Sequence, residues 1–223
     1  MTFIVIDGTD GSGKATQTDL LIKRLKQSHD VEVADFPRYG KKSAAMVEEY
    51  LKGTFGTSEE LGPYRASIFY AIDRYAASFQ LRKWLDDGKV VVSNRYVSAS
   101  MGHQAGKIHN PEERRKFLLW LLDLEYNIFG IPKPDLTILL CVPPDIGQQL
   151  VDKKGLRAYL GAAKRDIHEA DIHHLRNAYD AYLSCAKEFG WLVVDCAPEG
   201  VLFPKEEIHE LLWEKIKGLV VQK

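Results

Sequence analysis

Gly8-Thr9-Asp10-Gly11-Ser12-Gly13-Lys14 follows directly on the apolar run Thr2–Asp7 and precedes a stretch with helical spacing. In this G-x-x-x-x-G-K pattern the glycines let consecutive backbone N–H groups turn inward. The start of the helix adds positive potential, and Lys14 supplies a mobile cation. Such an arrangement fits a phosphate chain. The residue after the lysine, where a hydroxyl usually ligates magnesium, is Ala15. The next hydroxyl, Thr16, points about 100° away on a helix. A magnesium ion here is therefore expected to be held mostly by phosphate oxygens and water, or by Thr16.

Other groups suit an anion and a flat ring. Arg38 and Arg95 stand just beyond the apolar runs Val31–Phe36 and Lys89–Asn94, and a guanidinium fork matches a phosphate dianion. Tyr70 and Arg74, four apart, share one helix face and offer an aromatic surface beside a polar edge. The segment 145–165 mixes Lys153, Lys154, Arg157, Lys164 and Arg165 with Gly155 and Gly161. It reads as an irregular, basic cover for an anionic ligand, or as a solvated loop. The cluster His168, Glu169, Asp171, His173 and His174 reads as a solvated helix face, because His174 turns away from His168 and Asp171 and no third metal ligand is fixed. Cys141, inside an apolar run, reads as core filler.

The elements that must position these groups alternate. Thr2–Asp7, Val31–Phe36, Lys89–Asn94, Asp135–Val142 and Trp191–Asp195 are short, β-branched and apolar almost throughout, as strands covered on both faces are. Between them the spacing predicts helices over Lys14–Ser28, Glu59–Asp86, Pro111–Phe129, about Asp166–Phe189, and Lys205–Lys217. Glu59–Asp86 carries Leu61, Ile68, Ile72, Phe79 and Leu85 at helical spacing; Asn110 and Pro111 form a start signal, and Gly190 a stop. Five strands with helical crossovers imply a parallel sheet between two helical layers, a three-layer α/β fold. No repeat, low-complexity tract or linker divides the 223 residues, so one domain over 1–223 is expected.

Composition narrows the partners. Thirty basic residues against 31 acidic ones leave a net charge of −1, unlike a nucleic-acid binder. The longest uncharged apolar stretch, Leu136–Pro144, is far short of a membrane span. No basic residue precedes Asp7, so no signal peptide is expected. Cys141, Cys185 and Cys196 are an odd count without C-x-x-C spacing, which favours a reduced, cytoplasmic compartment.

Four separated motifs together resemble the thymidylate kinase family, P-loop nucleoside monophosphate kinases that phosphorylate dTMP. They are IDGTDGSGKATQ (Ile6–Gln17), FPRYG (Phe36–Gly40), FYAIDR (Phe69–Arg74) and NRY (Asn94–Tyr96). The resemblance implies a P-loop NTPase fold, a homodimer, and ATP with magnesium as phosphate donor. Gly8 to Thr16 would hold ATP, and Phe36, Arg38, Tyr39 and Arg95 the acceptor phosphate region. Tyr70 would stack on thymine, Arg74 would bind a base carbonyl, and Ser100 and Gln104 would meet the base edge. His103 stands where the family has a wider aromatic beside the sugar 2′ position. Asp10 is linked in the family to magnesium or the acceptor sugar. The NRY motif usually begins with Asp, and Asn94 does not balance metal charge. Glycine at position 11 matches members whose lid carries the catalytic cation. K-R-D-I-H-E (Lys164–Glu169) then nominates Arg165, with Arg157 second.

Rival readings are a kinase for another pyrimidine nucleotide or a deoxynucleoside, and a nucleotide-binding module without turnover. The acceptor arginines argue against a free nucleoside. ADP production separates an enzyme from a module.

Overall fold

The computed structural model describes residues 2–152 and 172–220. Five strands, β1 (Thr2–Asp7), β2 (Val31–Asp35), β3 (Val90–Asn94), β4 (Leu136–Cys141) and β5 (Leu192–Asp195), form one sheet in the order β2-β3-β1-β4-β5. Every pairing is parallel. The fold is the expected three-layer α/β arrangement. Side chains alternate along a strand, so Phe3 and Val5 of β1 enter one apolar core while Ile4 and Ile6 enter the other. The core around Ile4 and Ile6 is closed by α1 (Lys14–Leu25) and α9 (Lys205–Val220), through Leu21, Leu25, Leu212 and Ile216. On the opposite face lie α4 (Pro63–Asp86), α5 (Val97–His103) and α6 (Pro111–Leu122), through Leu81, Val97, Phe117 and Leu121. Helix α8 (Ile172–Phe189) joins that layer through Cys185.

Register fixes the working edge. Asp35 pairs with Asn94, and Asn94 with Ile6, so the carboxyl ends of β2, β3 and β1 are level. From β1 the chain runs out to β2, returns to β3 beside β1, and then crosses β1 to β4 and β5 on the other side. Ligands of open parallel sheets bind outside such a switch point.

Several elements depart from the expected bounds. The helix expected over Glu59–Asp86 is two, α3 (Ser58–Leu61) and α4, broken at Gly62, whose φ of 77° ends one helix before Pro63 begins the next. Of its apolar spacing, Leu61 and Leu85 are buried, but Ile68, Ile72 and Phe79 are 39%, 42% and 61% exposed. The inward face of α4 instead holds Ser67, Ala71, Asp73, Arg74 and Ser78. The helix expected to Phe129 loosens into a π-helical turn over Asp123–Ile128. Part of the segment read as irregular is regular: Pro144–Asp152 forms α7. Sequence reading passed over α2 (Ala45–Leu51), whose Val47, Tyr50 and Leu51 are buried.

Candidate active site

The P-loop leaves β1 at Asp7. Gly13, at φ 83°, turns the chain into α1 with a backbone that suits glycine. Lys14 curls back over the loop, its Nζ donating to the carbonyls of Gly8 (3.0 Å) and Thr9 (2.7 Å). Below, the fully buried Asp7 accepts from the Gly8 N–H (2.8 Å), Ser98 Oγ (2.6 Å) and Tyr182 Oη (2.8 Å). One carboxylate thus ties the loop to α5 and α8. Thr16 and Ala15 are both exposed at the start of α1.

A cavity of about 320 Å³ opens beside this loop. Asp10, Gly11, Gly13, Lys14 and Ala15 form its P-loop end. Phe36, Tyr39, Tyr70 and Arg74 line it farther along, with Ser100, His103 and Gln104 from α5 and its continuation. Arg95 stands on the same wall. Its backbone has φ 65°, unusual for a residue with a side chain, and its N–H donates to Ile6 (2.9 Å). The guanidinium pairs with Asp10 and donates to His103 Nε2 at 3.0 Å. Burial works most strongly against that charge, but Asp10, together with Tyr182, Asp7 and Tyr39, outweighs it and holds the Arg95 pKa well above its ordinary value. His103 accepts through Nε2, so its proton sits on Nδ1. Burial, then the Arg95 charge, push its pKa well below the usual histidine range.

The far end is set by a buried ion pair. Arg74, 1% exposed, meets Glu125 of the π-helical turn, which is fully buried, and donates to the Tyr96 carbonyl (3.1 Å) and Ser100 Oγ (2.9 Å). Its pKa is raised, because Glu125 overcomes the opposing effect of burial.

A thymidylate kinase family model matches residues 6–209. The chain belongs to the thymidylate kinase family. It is 31% identical to a probable thymidylate kinase of Pyrobaculum aerophilum over 223 residues, covering 99% of this chain and 98% of that one. A Clavibacter michiganensis thymidylate kinase is 30% identical, with 98% and 95% covered, and the Mycobacterium tuberculosis enzyme is 28% identical, with 84% and 86% covered. A solved thymidylate kinase structure from Candida albicans shares the fold at TM-score 0.73 and 21% identity, covering 97% of this chain and 91% of that one. The reaction is phosphoryl transfer from ATP to dTMP, giving dTDP.

Against the thymidylate kinase expectations, most of the residues read as contacts for dTMP gather on one wall, with the P-loop at its end. Arg38 does not join them. Its Nε donates to Asp73 Oδ1 (3.0 Å) and its Nη2 to Ser43 Oγ (2.9 Å) and the Asp73 carbonyl (3.0 Å). The nearly buried Asp73 carboxylate, one residue before Arg74, captures it. His174 is also misplaced by the solvated-face reading: it is 8% exposed and stacks on His103 with ring centroids 5.7 Å apart. Cys141 is buried with its thiol pKa raised by burial, in keeping with a core role. Arg157, Arg165, Lys164, His168, Glu169 and Asp171 lie outside the described residues.

Magnesium can be tested against the donor set. Asp10 and Asn94 line the cavity beside Asp35, which the sequence reading passed over. Asn94 Nδ2 donates to Asp35 Oδ1 at 2.8 Å, and Asn94 Oδ1 is buried without a hydrogen-bond partner among the described residues. Hard oxygen donors and a vacant acceptor fit magnesium, which takes one or two carboxylates and completes its shell with phosphates and water. No cluster of three or more His, Cys, Asp or Glu that could hold a metal exists among the described residues.

Asp35, Glu125 and Lys107 were missed; nothing local marks Asp35 or Lys107. Lys107, just past α5, binds Gln104 and Tyr50, and burial pushes its pKa down to about 7. The one usable signal was Glu125 itself, a carboxylate in an otherwise helical, aromatic-rich run.

Proposed function

We propose that ATP and dTMP meet end to end in the cavity, with Arg95 at the junction. The observation that carries this reading is the cavity's continuity from Gly13 and Lys14 to Tyr70 and Arg74 past the Arg95–Asp10 pair. The loop amides and Lys14 hold the donor phosphates, together with Gly8, Thr9, Ser12 and the start of α1. Tyr70 stacks on thymine, Arg74 and Ser100 bind its edge, and His103 borders the sugar. Phe36 and Tyr39 close the acceptor side. Arg38 shapes that wall through Asp73, or swings from Asp73 to the acceptor phosphate. The adenine lies toward the loop after β5, Cys196–Gly200.

The acceptor phosphate is largely ionised at neutral pH, since the second ionisation of such a phosphate falls near pH 6. One of its oxygens attacks the γ-phosphorus while the bond to the β–γ bridging oxygen breaks, so no proton must be removed. Catalysis is then alignment and positive charge on the equatorial oxygens. Arg95, steered by Asp10, supplies that charge from the acceptor side. A lid over 145–165, with Arg165 and then Arg157, supplies it from the donor side. Magnesium, when bound, neutralises donor phosphate charge; Asp10, Asp35 and Asn94 would face it.

The same reading makes the chain one domain and a cytoplasmic homodimer. Tyr64, Ile68, Ile72, Tyr75 and Phe79 lie on α4 at 39–61% exposure, an apolar stripe suited to a second copy. Balanced charge supports no nucleic-acid partner, and no helix among the described residues is long and apolar enough to cross a membrane.

The test is ADP production with magnesium-ATP against a panel of dTMP, dUMP, dCMP and thymidine. Preference for thymidine, or binding without turnover, would overturn the reading. Arg165→Ala should lower kcat on the order of 10²-fold with ATP affinity little changed.

A further inference from the structure

We infer that Lys107 governs which pyrimidine the cavity accepts, by holding the Gln104 amide with its N–H2 end toward the base. This rests on the placement of the acceptor base against Tyr70. Lys107 Nζ lies 2.7 Å from Gln104 Oε1 and 2.8 Å from Tyr50 Oη. Nζ donates to that oxygen, so the carbonyl end of the amide faces the lysine. In its protonated form Lys107 only donates, and the opposite orientation would set N–H2 against NH3+, donor on donor. Gln104 is 1% exposed and on the cavity wall, so its other end, Nε2, is the one left for a ligand.

Lys107 also touches the support of the stacking ring. Tyr50 is fully buried and stands edge-on to Tyr70, with centroids 6.4 Å apart at 88°. One amine thus anchors the polar edge of the pocket and the ring behind its aromatic face.

The chemistry of that edge follows. One turn before Gln104, Ser100 Oγ accepts from Arg74 Nη2, and Arg74 itself only donates. Gln104 Nε2 and the Arg74 guanidinium therefore present N–H groups to the base. A 2,4-dioxopyrimidine such as thymine answers with carbonyl oxygens. A 4-aminopyrimidine puts an N–H2 where the C4 carbonyl would be, and a buried donor left facing a donor is costly. A Gln104 amide free to rotate by 180° would offer its carbonyl to that amine and blur the distinction. Lys107 is thus a positioning residue, acting through Gln104.

The experiment measures dTMP and dCMP affinity by calorimetric titration, with kcat for dTMP, in Lys107→Met, Gln104→Met and the double variant. Lys107→Met should shrink the ratio of dTMP to dCMP affinity roughly tenfold, with kcat for dTMP little changed. The double variant should do no worse than Gln104→Met. Lys107→Arg keeps a donor-only cation and should retain the preference, which guards against a poorly folding Met variant. An unchanged ratio in folded Lys107→Met, a lost one in folded Lys107→Arg, or additive losses in the double would overturn the proposal. If Gln104→Met leaves dTMP affinity unchanged, the base placement fails and the proposal with it. If Gln104→Met weakens dTMP while Lys107→Met does not, only the role of Lys107 falls.

Discussion

Asp35 and Asn94 are register partners at the ends of β2 and β3, and Asn94 Nδ2 donates to Asp35 Oδ1 across 2.8 Å. The pairing leaves Asn94 Oδ1 without a hydrogen-bond partner among the described residues and sets a carboxylate beside it on the cavity wall. Charge absent from the β3 end is thus present one strand over.

Asp35→Asn removes that charge while keeping the size of the side chain. The magnesium concentration for half-maximal rate should rise on the order of 10-fold, the usual cost of losing a supporting metal contact, with dTMP affinity unchanged. Magnesium titrations at fixed ATP, paired with Mn2+ binding followed by magnetic resonance, check this. An unaltered titration would remove Asp35 from the metal's surroundings.

Gly11 and Gly147 meet backbone to backbone where α7 crosses the P-loop. A Cβ on Gly11 would overlap the Gly147 carbonyl, and one on Gly147 would lie 2.7 Å from the Asp10 carbonyl oxygen. Gly11 also has φ 81°. Gly11→Ala therefore carries backbone strain as well as a clash, roughly 1–3 kcal/mol for the strain alone. It should lower Tm and raise KM for ATP more than Gly147→Ala, whose backbone is ordinary. Thermal melts with ATP kinetics on both variants decide it; equal effects would mean that space alone matters.

The Arg74–Glu125 pair is buried on both sides. Removing one member of such a pair leaves an uncompensated charge, at a cost of about 3–5 kcal/mol. Glu125→Leu should therefore destabilise strongly in urea titrations, and Arg74→Met with Glu125→Leu should recover part of the loss. If the double variant is no better than Glu125→Leu, burial of the guanidinium is not what costs. Only the double should also lose dTMP affinity without losing the fold.

His103 gives a pH test. Its folded pKa lies well below 6.5, through burial and then the Arg95 charge. Below about pH 6.5 the unfolded chain binds a proton that the folded ring refuses, so stability falls as pH drops through that window. This ring contributes a slope of up to ~1.4 kcal/mol per pH unit there. His103→Gln lacks the titration and should lose less stability than the parent between about pH 7 and pH 5.5. Parallel pH dependences would mean that His103 protonates in the folded state.

Much of the site could be read from local pattern. The P-loop announces itself because glycines, lysine and helix start are contiguous in the chain. Helical spacing puts Tyr70 and Arg74 on one face, while Ser100 and Gln104 follow only from the resemblance to the family. Arg38 shows where that reading stops: it ends its strand as expected, yet Asp73, 35 residues away, takes its guanidinium. The exposed stripe of α4 is similar. Periodicity shows that Ile68, Ile72 and Phe79 share a face, but not whether that face meets the core or solvent.

Chain-local physics thus accounts for the five strands, the major helices and the phosphate cradle, since each depends on neighbours within a few residues. What needed folding in three dimensions was the identity of partners: Asp35 for Asn94, Glu125 for Arg74, Lys107 for Gln104. The first two join residues 59 and 51 positions apart. The third is local in sequence, yet its meaning depends on which end of an amide faces a cavity that packing creates. Burial and charge pairing are properties of assembled surfaces, and no spacing rule along a chain encodes them.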